Sequence, residues 1–300
     1  MMLRICPSVP ITWRSAACLQ FGVEDPVLID GLLPADASLI DDLRMGLGSG
    51  QFHTRAQDLG VDLARATSLL TLLDEAGVLI PEDSDAAAVR RGTNLLATAR
   101  LFDRSPDQAA AALAARPLGV FGPLRVAVVQ QLSRAGFAVT PATRIDELDL
   151  TADPIVVTTS HLVPDLHTAT WLVDREVDHC QVVAGEFSVE ITGLVRPGAT
   201  PCTVCACLLL RDADEGWFDQ YPRIRALTDR DDLADPLAPA LGAAHLVLVL
   251  RAALLTEAEP VRRRVDLRSG AVDDDALSYH PQCHCRVPAP GLTLIDEEAQ

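Results

Sequence analysis

The first eighty residues change character partway along. Short apolar runs at 11–13, 18–23 and 27–29, separated by turn-forming residues, give way to stretches with apolar positions three and four apart. The short runs predict a small antiparallel sheet. Behind the candidate cap Asp36, residues 34–45 place Ala37, Ile40 and Leu43 at helical intervals, and the same period continues through 52–59 and 63–76. Leu69, Leu70, Leu72 and Leu73 form a broad apolar face that reads as core packing, ended by Gly77 and a short strand at 78–80. A sheet followed by a few helices predicts a small α+β, winged-helix-like module over residues 1–80.

The polar, acidic stretch 81–85 has the composition of a linker, so a linker and helix are expected over 81–116. Beyond it strand and helix alternate. Strands are predicted at 118–121, 137–140, 154–159, 180–183 and 186–192, and helices at 124–135, 165–177 and 239–255. That order predicts an α/β domain over 117–300, with a Rossmann-like, mainly parallel sheet.

Composition narrows the picture. With 300 residues, 49% of them hydrophobic, the chain can bury a proper core and is not a disordered one. The most apolar run, 241–255, carries His245 and Arg251 and is too short for a bilayer. Arg4, Pro7, Pro10 and Arg14 interrupt the N-terminus where a secretion signal needs an unbroken apolar core, so a cytoplasmic location and no membrane partner are expected. The formal charge is -17 and the pI near 4.7, which disfavours nucleic acid. The basic run Arg262 to Arg264 and the acidic run Asp273 to Asp275 read as a solvated face. All 25 basic residues are Arg. Without an ε-amine there is no Schiff base, no pyridoxal-phosphate anchor and no Walker-type phosphate lysine.

Eight cysteines in such a chain point to metal or redox chemistry before disulfides. Cys202 and Cys205 lie in PCTVC, Cys283 and Cys285 in HPQCHC. A CxxC turn points two sulfurs at one tetrahedral ion, and a second close pair completes a thiolate shell with Zn–S distances of ~2.3 Å. One zinc would then staple remote segments. His280, His284 and Cys207 are reserve ligands. Four reduced structural cysteines, or a thioredoxin-type redox CxxC, are the alternatives. Cys6, Cys18 and Cys180 read as small core residues.

GLVRPGATPCTVC and the late HPQCHC resemble the zinc-binding parts of ThiF-type proteins, relatives of ubiquitin-activating enzymes. The similarity is to the actinobacterial cyclodehydratase-like branch associated with thiazole/oxazole-modified peptides. It runs from about 116 to 286, and the N-terminal module is similar to the peptide-clamp domain that holds a precursor's leader peptide. The resemblance implies a nucleotide-binding α/β domain with a tetracysteine zinc site, and ATP and magnesium in members that adenylate a carboxylate. Members of the peptide-modifying branch often recognise the leader and deliver it to a separate enzyme.

The chain departs from that pattern where a phosphate loop belongs. Its counterpart here is Gly119-Val120-Phe121-Gly122-Pro123-Leu124-Arg125-Val126. A phosphate cradle needs glycines and free amides at the helix start, whereas Pro123 removes a donor and Leu124 adds bulk. The ribose-binding acid expected about twenty residues on is replaced by Val139, Thr140 and Pro141. Gly119 and Gly122 are therefore expected to form a degenerate nucleotide loop, which argues against ATP and magnesium, and no catalytic residue is carried over. Thr158 to His161 read as polar residues ending a strand, His245 as a core histidine, and Trp217, Phe218 and Tyr221 as packing after the zinc helix. The expected function is a non-catalytic scaffold that binds a leader peptide on the edge at 18–29. An ATP-dependent adenylyltransferase, and a zinc-stabilised structural subunit of an oligomer such as a homodimer, are the alternatives.

Overall fold

The computed structural model describes residues 2–81, 95–228, 234–256, 259 and 261–286; most of the expected linker, at 82–94, and the end of the expected α/β domain, at 287–300, lie outside the described residues. Two compact units divide the chain, Met1–Ala111 and Ala112–Gln300.

In the first unit the predicted short runs form an antiparallel sheet of β2 (Ile11–Trp13), β3 (Leu19–Phe21) and β4 (Val27–Ile29), with β3 in the middle. Its Leu19 and Phe21 are almost fully buried, and both neighbours hydrogen-bond to it. The edge expected at 18–29 is thus reduced to β4, since β3 has no free backbone groups to offer. A second small sheet was not predicted: β1 (Met2–Ile5) pairs with β5 (Leu47–Gly48) on one side and β6 (Leu79–Pro81) on the other. Between them lie α1 (Pro34–Met45), α2 (Ser49–Asp58) and α3 (Leu63–Glu75), whose inner faces bury Leu39, Leu43, Phe52, Leu69 and Leu73. Burial of each such side chain stabilises the unit by roughly 1.5–3 kcal/mol.

Asp36 is not the cap of α1 that the sequence suggests. Leu33 holds that position with Pro34 following, and Asp36 sits one turn in, where its carboxylate accepts the Leu33 amide at 2.7 Å and a two-pronged contact from Arg65 of α3 at 2.6 and 3.0 Å. The true side-chain cap nearby is Asp62, which accepts the amides of Ala64 and Arg65 at the start of α3. Helices α4 (Leu95–Leu101) and α5 (Pro106–Ala114) follow.

The second unit is built on a seven-stranded sheet. Four strands run parallel: β7 (Leu118–Phe121), β8 (Val139–Pro141), β9 (Ile155–His161) and β10 (His179–Ala184), in the spatial order β8-β7-β9-β10. Antiparallel strands β11 (Ser188–Ile191), β12 (Val261–Asp266) and β13 (Val272–Ala276) extend it beyond β10. All seven residues of β9 and all six of β10 are buried, as expected of strands covered on both faces. Arg116 ties their amino ends together, reaching Asp153 at 2.8 Å and Asp178 at 2.5 Å.

Helices cover the two faces. On one, α10 (Ala238–Leu255) lies so close that a Cβ on Gly242 would come within 2.7 Å of Val182, and α6 (Arg125–Arg134) packs beside α10. On the other, Leu172 of α7 (Leu166–Val173) packs with Val156, Leu148 and Val177, and Gln181 of β10 donates to the Asp165 carbonyl at the start of α7. Helix α10 is longer than the apolar run seen in the sequence, at 18 residues, and by length and composition it alone among the described helices could cross a membrane. It packs against β10, β11 and α6.

The charged runs read as a solvated face are β12 and β13. Arg262, Arg263 and Arg264 stand opposite Asp275, Asp274 and Asp273 in register. Arg262 pairs with Asp275 at 2.7 Å and Arg263 with Asp274 at 2.5 Å, while Arg264 reaches Glu190 on β11. Opposite charges directly across a ladder stabilise the pairing by a few tenths to about 1 kcal/mol each.

Candidate metal centre

The segment entering the centre is held by backbone bonds. Val195 exchanges two hydrogen bonds with His179 at the amino end of β10, and the chain runs on from there toward Cys202. Gly198, at φ +77, turns the chain and donates to the Cys285 carbonyl. Helix α8 (Thr203–Ala213) then begins, with Cys202 as its extended N-cap residue and Cys205 in its first turn. Two sulfurs at a helix start sit where unpaired amides and the helix dipole favour thiolate. The second pair comes from a turn in which Cys283 donates its amide to the His280 carbonyl at 3.0 Å.

These four residues, 80 or so positions apart in two pairs, converge. The sulfur of Cys202 is 4.0 Å from Cys205 and 3.6 Å from Cys283, and Cys205 is 3.5 Å from Cys285. All four sulfurs lie within 4.8 Å of one another. A tetrahedron with metal–sulfur bonds of ~2.3 Å has edges of about 3.8 Å, so the quartet already has the dimensions of a four-thiolate shell. Val173, Val195, Val204 and Tyr279 enclose it. Cys202, Cys205 and Cys285 are buried, and Cys283 is half-buried.

Electrostatics agree with a metal donor set. The hydrogen bond from Cys202, helped by the His280 amide, pulls Cys205 well below the usual thiol range; the same bond and burial push Cys202 up. Burial and the neighbouring sulfurs push Cys285 up to about 12. Four sulfurs crowded this closely, three of them buried, cannot all be thiolates without a cation among them; a dication relieves that conflict and drives off the protons. The arrangement could hold a metal ion.

The reserve ligands do not join. Cys207 is buried away from the quartet, with burial raising its thiol to about 12, and His284 is exposed. His280 is buried, but its ring bonds Asp212. Beside the quartet lies a cavity of about 510 Å³, lined by Val173, Pro197, Val204 and Cys283 among others.

A second crevice, of about 460 Å³, opens where the strand order reverses between β7 and β9. This is the place where open parallel sheets bind ligands. Gly122 lies in it at φ +102, against the Thr159 backbone, and the Leu124 amide donates to Thr159 Oγ1 at 3.0 Å. Gly119 is not in this turn. It sits within β7 beneath Leu148, whose Cδ1 would be 2.8 Å from an added Cβ, so its small size serves packing. Thr159, Ser160 and His161 line the crevice, with an Asp165–Arg225 ion pair at 3.3 Å opposite; the sequence offered no signal for Arg225. Tyr221, on α9 (Trp217–Arg225), accepts the Leu166 amide and donates to the Pro164 carbonyl, so the aromatic cluster packs on the start of α7.

No protein family and no curated protein matches the sequence. Solved structures do. The heterocyclase TruD superposes with a TM-score of 0.66 at 19% identity, over 94% of this chain and 42% of that one. A heterocyclase solved with substrate and cofactor gives 0.61 at 17%, over 94% and 39%. MccB of E. coli, solved with AMPCPP and MccA, gives 0.57 at 13%, over 94% and 99%. The chain shares their fold. It spans about two fifths of the two heterocyclases and nearly all of MccB.

Proposed function

We propose that the chain is a non-catalytic, leader-peptide-binding scaffold of the ThiF-type, cyclodehydratase-like branch, acting in the cytoplasm beside a separate modifying enzyme. In this reading residues 1–80 are a winged-helix-like peptide clamp, 81–116 a linker and helix, and 117–300 a Rossmann-like domain stapled by zinc on Cys202, Cys205, Cys283 and Cys285. The bound zinc supplies charge neutralisation and a rigid cross-link; the sulfurs orient the two segments around it.

The observation that carries the non-catalytic reading is the hydrogen bond from the Leu124 amide to Thr159. In a phosphate cradle the amides at a helix start face the ligand. Here one is spent on the protein, Pro123 has none, and Gly122 is pressed against β9. With no lysine in the chain to meet a triphosphate, Gly122 remains only as the relic of a nucleotide loop. The peptide reading is supported by β4, an edge strand whose Val27 and Leu28 are exposed, and by the fold shared with MccB, which has been solved with MccA. An added strand would gain affinity from main-chain hydrogen bonds and selectivity from side chains such as these.

Fluorescence anisotropy with labelled peptides encoded beside the gene tests this. Binding by the full chain and at least a tenfold loss in Leu28→Asp are expected; unchanged binding in that variant would remove the clamp from β4. The rival reading, an adenylyltransferase, draws on MccB having been solved with AMPCPP. Isothermal titration with ATP and magnesium separates the two: saturable binding with peptide-dependent pyrophosphate release would overturn the scaffold reading. A zinc-stabilised subunit of a homodimer is compatible with either and is read from the solution mass.

A further inference from the structure

The turn that carries Cys283 and Cys285 has no regular secondary structure of its own, so something else must hold it in register with α8. His280 makes three contacts that do so. Its carbonyl accepts the Cys283 amide at 3.0 Å, closing the turn through Pro281 and Gln282. Its ring Nδ1 accepts the Gln282 amide at 3.1 Å, which leaves the ring proton on Nε2. That Nε2–H donates to Asp212 Oδ2 at 2.8 Å. Cys205 and Asp212 are seven positions apart on α8 and share one helical face, about 10 Å apart along the axis.

We propose that His280 is a positioning residue for the metal centre: its ring tethers the loop bearing Cys283 and Cys285 to Asp212, near the far end of the helix whose N-cap is Cys202 and whose first turn bears Cys205. The proposal rests on the quartet holding zinc. The physical argument is one of preorganisation. Two sulfurs on a helix start are fixed by the helix, but a pair separated by one residue on an irregular turn is not; each must otherwise be ordered when the ion binds, at the cost of backbone entropy. A tether that fixes the turn beforehand removes that cost and slows departure of the ion, since opening the shell requires the turn to swing away. His280 is suited to this and unsuited to being a ligand, because both ring nitrogens are already engaged. Asp212 is itself steadied, its other oxygen accepting Arg211 at 2.6 and 2.9 Å.

Zinc release from the full-length protein into excess chromogenic chelator tests the tether. Asp212→Ala removes the acceptor on a half-exposed side chain, and about a tenfold faster release is expected. Asp212→Asn keeps an acceptor oxygen and should stay within about twofold of the parent. His280→Asn separates the two ring contacts: its oxygen can still accept the Gln282 amide but cannot reach Asp212, and it should behave as Asp212→Ala does. Cobalt-substituted forms of all four proteins should give the same four-thiolate absorption, because no ligand has changed. Release from Asp212→Ala at the parent rate, or a cobalt spectrum altered by His280→Asn as for a lost ligand, would overturn the tether while leaving the zinc reading standing. A parent protein purified without zinc would overturn both.

Discussion

Gly122 and Thr159 meet so closely that a Cβ on Gly122 would lie 2.2 Å from the Thr159 carbonyl oxygen, and the glycine holds φ at +102 there. Contact and conformation both exclude any other residue at this turn, even though no phosphate is needed to explain the glycine. Gly122→Ala is expected to destabilise the second unit by about 3 kcal/mol or more, read as a lowered urea midpoint. Thr159→Val, which leaves the buried Leu124 amide without its acceptor, should cost about 1–3 kcal/mol.

Metal analysis of protein purified without chelator should return about one zinc per chain. Cys202→Ser and Cys283→Ser each leave three thiolates and should lose the ion; Cys207→Ser should keep it, since that sulfur lies outside the quartet. A loss of even ~3 kcal/mol of metal-linked stability lowers Tm by roughly 6–12 °C for a unit of this size. Zinc retained in both of the first two variants would displace the ligand assignment.

His179 introduces a pH dependence of definite sign. The ring is fully buried, its Nδ1–H donates to the Val177 carbonyl at 2.9 Å, its Nε2 has no partner, and burial holds its pKa below the ordinary 6.5. Below pH 6.5 the unfolded chain takes up a proton that the folded chain refuses, so stability falls as the pH drops, by up to about 1.4 kcal/mol per pH unit from this group. Urea unfolding at pH 7.5 and 5.5 should show a smaller difference for His179→Gln than for the parent. Equal differences would mean the imidazole is charged in the fold.

The bidentate contact of Arg263 with Asp274, at 2.7 and 2.5 Å across β12 and β13, should show in a double-mutant cycle as a coupling of about 0.5–1 kcal/mol, reduced in high salt. A coupling of zero would mean that solvent screens the pair completely.

Local order was legible because it depends on neighbours within a few positions. The period in 34–45 and 63–76, the apolar runs of β7, β9 and β10, and the closeness of Cys202 to Cys205 and of Cys283 to Cys285 are properties of single stretches, and they reappear as α1, α3, three parallel strands and the two local halves of the sulfur quartet. The absence of lysine is likewise a property of composition and needs no fold to be read. The β12–β13 hairpin was not legible: in VRRRVD only Val265 is fully buried, so no alternation of apolar and polar positions marks it as a strand, and its pairing lies in cross-strand charges that a linear reading takes for solvated runs. Nor could spacing tell that β3 is central and β4 an edge, that Thr159 takes the Leu124 amide 35 positions away, or that His280 is occupied by Asp212 rather than by the sulfurs. Each of these is a contact between residues far apart in the chain. Periodicity records which face of an element is apolar, but the partner that face or polar group meets is chosen only when the elements pack, and there the tertiary structure decided.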